Sequence, residues 1–243
     1  MIRNLYTGED FTRLEQNGLY LSKYEIGVFR VHLQQIENWV EQKMDLLNHE
    51  EQARRQSFVY DKDRLRFAVG RICTKEIAAC CLRLRPEQIL IVQGKHQKPV
   101  LLNGGGALQY NLSHSGDRVL FAFAFDADVG IDVEQVRYLQ DYKTLCDCLH
   151  GFEKRRVLES GDFKLFYQYW TAKEAYIKAD GRGFGIDFAS FYISEEDRLF
   201  EANGKELKAY QLVRISETEK YAEALVYRER AGELIWREDT KKT

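Results

Sequence analysis

Residues 118–125, RVLFAFAF, constrain the fold of this chain more than any other stretch of the sequence. Successive side chains of a strand point to opposite faces, and after Arg118 both faces of this segment carry only apolar side chains. A strand that is apolar on both faces must be covered on both faces. The sequence therefore predicts that 118–125 is a central strand of a sheet.

The flanking pattern alternates strands with helices and predicts an α+β fold. Strands are expected at 24–32, 89–92, 108–113, 129–134, 191–193, 209–215 and 221–227, and helices at 33–48, 63–82, 151–160 and 162–180. A turn at residues 115–117 joins two of the strands into a hairpin. Hairpins of this kind, here and near the C-terminus, favour largely antiparallel sheets.

Charge and composition exclude several classes of protein. The chain has 36 Lys+Arg against 38 Asp+Glu, a formal net charge of −2, which argues against coating nucleic acid or an anionic membrane. It has no apolar run of about 18 residues, the minimum for a membrane span. The first ten residues, MIRNLYTGED, include acids where a signal peptide needs an apolar core. We expect a cytoplasmic protein that binds neither nucleic acid nor membrane.

Residues 130–134, GIDVE, place two carboxylates on one face of a predicted strand. Asp132 and Glu134 project together, while Ile131 and Val133 project to the opposite side. Neighbouring carboxylates repel unless a cation lies between them, and Mg²⁺ uses one or two carboxylates together with substrate phosphates. The segment is either a candidate Mg²⁺ site or a solvated strand end with a chance pair of acids.

Residues 170–178, WTAKEAYIK, place an acid and a base on one face of a predicted helix. Trp170, Glu174 and Lys178 are four residues apart and therefore share that face. Trp170 would pack this face of the helix against the protein. Glu174 and Lys178 would then lie side by side, either as a functional pair or as an ordinary surface ion pair. The glycines that follow, at positions 181, 183 and 185, indicate a close backbone approach to something.

Residues 110–115, YNLSHS, place His114 between two serines at the end of a predicted strand. A histidine there is suited to donating a hydrogen bond to a phosphate, and equally to a structural role. A serine hydrolase is disfavoured because the chain has no G-x-S-x-G nucleophile elbow.

In this order, NLSHS, GIDVE and WTAKEAYIK with its trailing G-x-G resemble the signature of the Sfp-type 4′-phosphopantetheinyl transferases. The loop 97–100, QKPV, resembles the G-K-P loop upstream of these motifs, with Gln97 in place of the glycine. The segment from Arg54 to Arg64 resembles the family's N-terminal basic segment. The resemblance spans about residues 50–185.

The resemblance implies a transferase that moves the 4′-phosphopantetheine arm of coenzyme A to a serine of an apo acyl or peptidyl carrier protein. Adenosine 3′,5′-bisphosphate would be the other product and Mg²⁺ the cofactor. Coenzyme A and the carrier protein are the expected partners, and we expect the enzyme to be a monomer.

Roles at the reacting end follow from the resemblance position by position. Asp132 and Glu174 resemble the family's principal Mg²⁺ ligands, and Glu134 resembles a third. Glu174 is also the position proposed as general base, directly or through a water. Lys178 would neutralise the pyrophosphate and assist the leaving group. Lys173 lies about 100° around the helix and is expected only to support them.

Other positions resemble the family's coenzyme-binding residues. Basic side chains and the QKPV loop would hold the 3′-phosphate and adenine end, and the NLSHS segment resembles the coenzyme-binding turn. The residues implied in coenzyme A binding are Arg54, Arg66, Lys98, Pro99, Asn111, Ser113, His114, Asp132 and Lys178.

The resemblance also sharpens the expected fold. It implies two similar α/β subdomains related by a pseudo-twofold, with mostly antiparallel sheets and the active site in the cleft between them. Residues 1–127 would form the coenzyme A 3′-phosphate and adenine side, and residues 128–243 the metal and catalytic side. A faint echo fits two halves, because TKEIA at 74–78 lies 98 residues before AKEAY at 172–176.

Three alternatives remain open. A short, trimeric holo-acyl-carrier-protein synthase of the same superfamily is disfavoured, because such chains are about half this length. A non-catalytic protein that binds coenzyme A or a carrier protein would use the same residues. Another Mg²⁺-dependent phosphotransferase, acting on a small molecule, would also need paired acids and a lysine.

Overall fold

The chain divides into two units that meet in sequence between Asp126 and Ala127. The structure, a computed structural model, describes residues 2–5, 21–22, 25–94, 98–104 and 107–229. We call the described residues up to Asp126 the N-terminal unit and Ala127–Glu229 the C-terminal unit. The strand predicted from residue 24 begins at Ile26, and residue 24 itself lies outside the described residues.

The N-terminal unit is built from one mixed sheet, a hairpin and three helices. Its strands are β1 (Ile2–Leu5), β2 (Ile26–His32), β3 (Ile91–Gln93), β4 (Pro99–Leu101), β5 (Leu108–Ser115) and β6 (Arg118–Phe125). Its helices are α1 (Leu33–Glu41), α2 (His49–Gln56) and α3 (Asp61–Leu82). The sheet has the order β1-β2-β6-β5, and β3 pairs with β4.

Strand β6 lies inside the sheet, as its two apolar faces predicted. It pairs antiparallel with β2 on one side and with β5 on the other. Every side chain from Arg118 to Ala124 is buried. The 22-residue helix α3 contributes Val69, Ile72 and Ile77 to the same core.

The helix predicted over 33–48 is wrong in its second half. Helix α1 ends at Glu41, and a new helix, α2, begins at His49, where the sequence pattern predicted no helix. Asn48 restarts the helix, because its side chain accepts a hydrogen bond from the backbone N–H of Glu51 while the Glu51 carboxylate accepts from that of Asn48. This capping box satisfies backbone donors that would otherwise be exposed at the helix start.

The C-terminal unit contains a three-stranded sheet, a hairpin and three helices. Its strands are β7 (Ala127–Gln135), β8 (Phe191–Ile193), β9 (Leu199–Glu201), β10 (Tyr210–Arg214) and β11 (Tyr221–Glu229). Its helices are α4 (Tyr142–Leu145), α5 (Gly151–Ser160) and α6 (Phe163–Asp180). The sheet has the order β10-β11-β7 and is antiparallel throughout.

The two units repeat one order of elements, which confirms the predicted α+β fold with two similar, mostly antiparallel subdomains. Each runs from a strand through three helices to a hairpin and two final strands, and in each sheet the last strand lies between the first and the penultimate one. The hairpins even share a register: Val92 faces Val100 in one, and Tyr192 faces Phe200 in the other. In the N-terminal unit β1 adds a parallel strand beyond β2. None of the described helices has an apolar stretch long enough to cross a membrane.

Candidate functional site

Strand β7 presents a row of polar and small residues toward helix α6. Gly130, Asp132 and Glu134 alternate with buried apolar residues and therefore lie on one face of the strand. The cross-strand partners of the two acids on β11 are alanines, Ala224 and Ala222. These small side chains leave room beside the carboxylates.

Gly130 allows α6 to lie directly on this face of β7. A Cβ atom at Gly130 would stand 2.1 Å from the backbone oxygen of Ala175 and 2.3 Å from the backbone nitrogen of Ala179. No side chain fits in that space, so the glycine is required by the close approach of helix and strand. The helix segment that carries Glu174 and Lys178 is thereby held against the segment that carries Asp132.

Lys178 reaches across from α6 to β7. Its ammonium lies 2.7 Å from Oδ1 of Asp132 and also donates to the backbone oxygen of Ile131 at 3.3 Å. The Asp132 side chain is 5% exposed and that of Lys178 is 26% exposed. The two residues are 46 positions apart, so this is a tertiary contact between the two motifs.

Glu174 shares the helix face of Lys178 and stands near the same acids. Burial raises the pKa of Glu174, the charge of Lys178 lowers it, and the charges of Asp132 and Glu134 raise it further. The net shift is upward. A carboxylate with a raised pKa is a stronger base than an exposed glutamate at neutral pH. The other member of the face, Trp170, packs its ring against Phe188 at a centroid distance of 4.9 Å.

The chemistry of this group of side chains fits a hard divalent cation. Within the described residues, no three His, Cys, Asp or Glu side chains converge closely enough to hold a metal ion on their own. Mg²⁺, however, is commonly held by one or two carboxylates together with waters and substrate phosphates. Asp132, Glu134 and Glu174 offer oxygen ligands from two facing elements, and an ammonium already lies against one of them.

Lys173, next to Glu174 in the motif, has a structural environment. Its side chain is fully buried and its ammonium lies 2.9 Å from Oε2 of Glu153, which is equally buried. It also donates to the backbone oxygens of Phe188 and Phe191 at 2.8 and 2.6 Å. All three of its protons are therefore used inside the protein, which leaves none for a substrate.

The N-terminal unit holds a cavity of about 320 Å³ between α3, β5 and the start of β4. Basic and aromatic side chains dominate its walls. The lining residues are Phe58, Asp63, Arg66, Phe67, Gly70, Arg71, Pro99, Tyr110, Asn111, Leu112 and His114. A cavity with this lining suits a flat aromatic ring and an anion.

The structure places four of the sequence-predicted residues on this cavity: Arg66, Pro99, Asn111 and His114. Arg66 is anchored, because it donates to Asp63 at 2.7 Å and to the backbone oxygen of Gly116 at 2.6 Å. A guanidinium held in this way keeps a fixed orientation.

Three other predicted residues do not line the cavity. Arg54 lies exposed on α2 with its guanidinium 5.2 Å from the ring centre of Phe58, and Lys98 lies just before β4. Ser113 is buried, and it is part of β5 because the strand continues to Ser115 and pairs Ser113 with Leu120. The NLSHS segment is therefore strand throughout. Gln97, the position that departs from the G-K-P pattern, lies outside the described residues.

The sequence-based prediction missed several cavity residues on α3. Asp63, Phe67, Gly70 and Arg71 line the cavity together with Arg66. Their spacing of three or four residues places them on one helix face. The helical period could therefore have identified them once Arg66 was assigned to the site. Arg71 is a second guanidinium at this cavity, 5.4 Å from the ring centre of Phe67.

Two family models match the chain, one in each unit. The family model described as 4′-phosphopantetheinyl transferase superfamily matches residues 128–226, and the one described as 4′-phosphopantetheinyl transferase, N-terminal, matches residues 34–125. The two matches fall on opposite sides of the boundary at Asp126.

Individual relatives carry the same description. The 4′-phosphopantetheinyl transferase HetI of Nostoc sp. is 32% identical over 171 residues, covering 68% of this chain and 72% of the relative. A phosphopantetheinyl transferase of Thraustochytrium sp. is 31% identical, with 63% and 59% covered. The 4′-phosphopantetheinyl transferase psf-1 of Bacillus pumilus is 28% identical, with 68% and 72% covered.

The chain belongs to the 4′-phosphopantetheinyl transferase superfamily, in its Sfp type, as its motifs predicted. It is accordingly an enzyme of the phosphopantetheinyl-transferring class.

Proposed function

We propose that this enzyme transfers the 4′-phosphopantetheine arm of coenzyme A to a serine of an apo carrier protein, in a Mg²⁺-dependent reaction that releases adenosine 3′,5′-bisphosphate. The observation that carries the proposal is the meeting of Asp132 and Lys178 across β7 and α6, with Glu174 beside them. Phosphoryl transfer needs this combination of acids and a cation, because its catalysis rests on positioning and on neutralising phosphate charge.

The cavity of the N-terminal unit suits the nucleotide end of coenzyme A. Phe58 and Phe67 offer apolar faces for the adenine, and Arg66 and Arg71 offer guanidinium groups for the 3′-phosphate. His114, exposed at the edge of the cavity, supplies a further donor. We keep Arg54 and Lys98 as proposed contacts of the same end on the strength of the sequence resemblance alone.

In the C-terminal unit, Asp132 and Glu174, with Glu134 as a third, are the residues that would hold Mg²⁺. When bound, the ion would neutralise the pyrophosphate and polarise its phosphorus–oxygen bonds. Lys178 adds a positive charge that belongs to the chain itself and would stabilise the leaving bisphosphate.

Glu174 is the proposed general base. The serine Oγ of the carrier would attack the phosphorus that bears pantetheine, while its proton passes to Glu174 directly or through one water. The bond from that phosphorus to the bridging oxygen breaks, and the electron pair leaves with adenosine 3′,5′-bisphosphate. The raised pKa of Glu174 suits this proton transfer near neutral pH.

The decisive experiment incubates the protein with coenzyme A, Mg²⁺ and a panel of apo acyl and peptidyl carriers, and follows the mass of each carrier. Glu174→Gln should remain folded and lose roughly 100-fold or more of the transfer rate, because a general base contributes about that much. Near-normal turnover by this variant would remove Glu174 from the mechanism.

Glu76→Gln is the matched control. Glu76 occupies the place of Glu174 in the sequence echo, but it pairs with Lys43 at 2.8 Å in the N-terminal unit. An amide can still accept that hydrogen bond, so this variant should retain its transfer activity. Binding of coenzyme A by the wild type without transfer to any carrier would instead support a non-catalytic binding protein. Monomeric state and cytoplasmic location stay predictions.

A further inference from the structure

A partly buried polar network joins four elements of the C-terminal unit at the end of helix α6. Arg228 on β11 donates to Oδ2 of Asp128 on β7 at 2.6 Å and to the phenol oxygen of Tyr210 on β10 at 2.8 Å. The Tyr210 hydroxyl donates in turn to Oδ2 of Asp180, the last residue of α6, at 2.8 Å. Arg182 forms an ion pair with Asp180, with its Nε 2.5 Å from Oδ1. We call Asp128, Arg228, Tyr210 and Asp180 the Tyr210 network.

Three of the four members of the network are largely shielded from solvent, while the Arg228 side chain is 38% exposed. Hydrogen bonds between the shielded groups are stronger than they would be in water. Tyr210 is 9% exposed and Asp128 is 7% exposed. Burial and the hydrogen bond to Asp180 raise the pKa of Tyr210, so the phenol keeps its proton and donates it to that carboxylate. The Tyr210 ring also packs edge-on against Tyr176 of α6, at a centroid distance of 4.9 Å.

Each end of the network lies within a few residues of a proposed reacting residue, one along β7 and the other along α6. Asp128 is on the same face of β7 as Gly130 and Asp132, two and four residues before them. Asp180 follows Lys178 on α6 by two residues. The network therefore ties the end of α6 to the start of β7, beyond the close contact at Gly130.

In the N-terminal unit, the residue pair that corresponds to Tyr210 and Arg228 is apolar. There Leu108 pairs with Phe125 at the register position where Tyr210 pairs with Arg228. Leu82 directly precedes the C-cap of α3, as Asp180 directly precedes the C-cap of α6. Leu82, Leu108 and Phe125 all belong to one hydrophobic cluster. The polar pair of Tyr210 and Arg228 is therefore a feature of the C-terminal unit that the shared strand order does not by itself require.

We infer that the Tyr210 network positions α6 against β7, so that Glu174 and Lys178 face Asp132 at a fixed distance. Apolar contacts tolerate small sliding, whereas a series of hydrogen bonds sets one register. Tyr210, Arg228 and Asp180 are then positioning residues, which touch neither the substrate nor the ion. The inference rests on the proposed metal site and transfer reaction.

The test measures Mn²⁺ binding to the full chain, with and without coenzyme A, by isothermal titration and by electron paramagnetic resonance. Tyr210→Phe removes only the hydroxyl and keeps the ring that packs on Tyr176. We expect it to weaken Mn²⁺ binding roughly tenfold, the lower end of the range for residues that orient metal ligands. Arg228→Lys, which keeps a charge near Asp128 but loses the reach to Tyr210, should weaken it in the same direction and serves if Tyr210→Phe does not fold.

Tyr142→Phe is the matched control, because it also deletes one tyrosine hydroxyl in the same unit. That hydroxyl donates to the backbone oxygen of Gly161 at 3.3 Å and does not join α6 to β7. Unchanged Mn²⁺ binding in Tyr142→Phe, with weakened binding in Tyr210→Phe at similar melting temperatures, supports positioning. Equal weakening in both variants, or none in Tyr210→Phe and Arg228→Lys, overturns it. A wild type that binds no Mn²⁺ would overturn the proposed metal site itself.

Discussion

In the N-terminal unit, Glu76 on the long helix α3 is held by Lys43, whereas in the C-terminal unit Glu174, at the same place in the sequence echo, faces Asp132, Glu134 and Lys178. The carboxylate of Glu76 is paired with the ammonium of Lys43, in the turn that follows α1. The pKa of Glu174, in the second unit, is raised by burial and by the charges of Asp132 and Glu134. Glu76 and Glu174 thus occupy corresponding positions in the two units, but only Glu174 lies where it could take part in a reaction.

The lysine that precedes each of these glutamates behaves alike in both units. Lys75 lies 2.6 Å from Oε2 of Glu51, and Lys173 lies 2.9 Å from Oε2 of Glu153. Glu51 and Glu153 are also the third residues of α2 and α5, where each closes a capping box. A buried lysine that holds a capping glutamate is therefore part of the architecture and independent of the metal site.

The largest predicted effect concerns this shared pair. Lys173→Met should lower the free energy of unfolding by about 3–5 kcal/mol, because it leaves the carboxylate of Glu153 buried without its counter-ion. Lys75→Met should destabilise the N-terminal unit by less, because Arg71 still lies 3.8 Å from Glu51 and because the Lys75 and Glu51 side chains are 5% and 8% exposed, against 0% for both members of the other pair. Urea denaturation of the two variants measures both.

The double variant Lys173→Met, Glu153→Gln is the control for this prediction. It removes the uncompensated charge together with its partner, so its loss should be smaller than the sum of the two single losses. Denaturation midpoints for Lys75→Met equal to the wild type would mean that the N-terminal pair does not correspond to the C-terminal one.

A second prediction compares glycines on two corresponding strands, β7 of the C-terminal unit and β2 of the N-terminal unit. Gly130→Ala should cost about 1–3 kcal/mol and most of the activity, because the new methyl group meets backbone atoms of α6. In Gly27→Ala, on β2, the new Cβ meets only side chains, with Phe29 Cε2 nearest at 2.9 Å. Side chains can yield where helix backbone cannot, so this change should be milder.

Thermal unfolding and the carrier-mass assay test this difference. Gly151→Ala is the neutral control, because beyond its chain neighbours and its own helix backbone nothing lies within 4 Å of its Cβ position. A Gly130→Ala protein as stable and as active as the Gly27→Ala protein would show that α6 can move away from β7 without loss.

The parts of the fold that could be predicted from the sequence are those with a strong local period. The two-faced apolar strand β6, the helix Gly151–Ser160 and the strand Phe191–Ile193 were all expected where they occur. The break between α1 and α2 was missed, although Asn48 and Glu51 have the spacing of a capping box. The parallel strand β1 has no partner nearby in sequence and gave no local signal.

The same division holds for the candidate site. Asp132, Glu134, Glu174 and Lys178 stand in short motifs, so residue type and spacing revealed them. The ion pair between Lys178 and Asp132 was not predicted, because it joins residues 46 positions apart. The bond from Arg228 to Asp128 spans 100 positions and has no pattern that one sequence could reveal.

The smallest predicted effect is a difference in pH dependence between the N-caps of α2 and α5. Asn48 caps α2, and His150 occupies the same position on α5, where its Nδ1 accepts from the backbone N–H of Phe152 at 3.3 Å. Burial and the charge of Lys173 lower the pKa of His150 below its ordinary 6.5. As pH falls below about 6.5, the unfolded chain takes up a proton that the folded chain resists, so stability is lost progressively down to the folded pKa.

His150→Asn should remove this loss, because an asparagine cap does not titrate. The difference in free energy of unfolding between wild type and variant should change by at most about 1 kcal/mol, the typical strength of a cap, between pH 7.5 and pH 5. Glu153, whose pKa is raised by burial, acts in the opposite direction but is present in both proteins. A constant difference across this range would mean that His150 binds its proton equally well in the folded and the unfolded chain, so that its role as a cap has no effect on the pH dependence of stability.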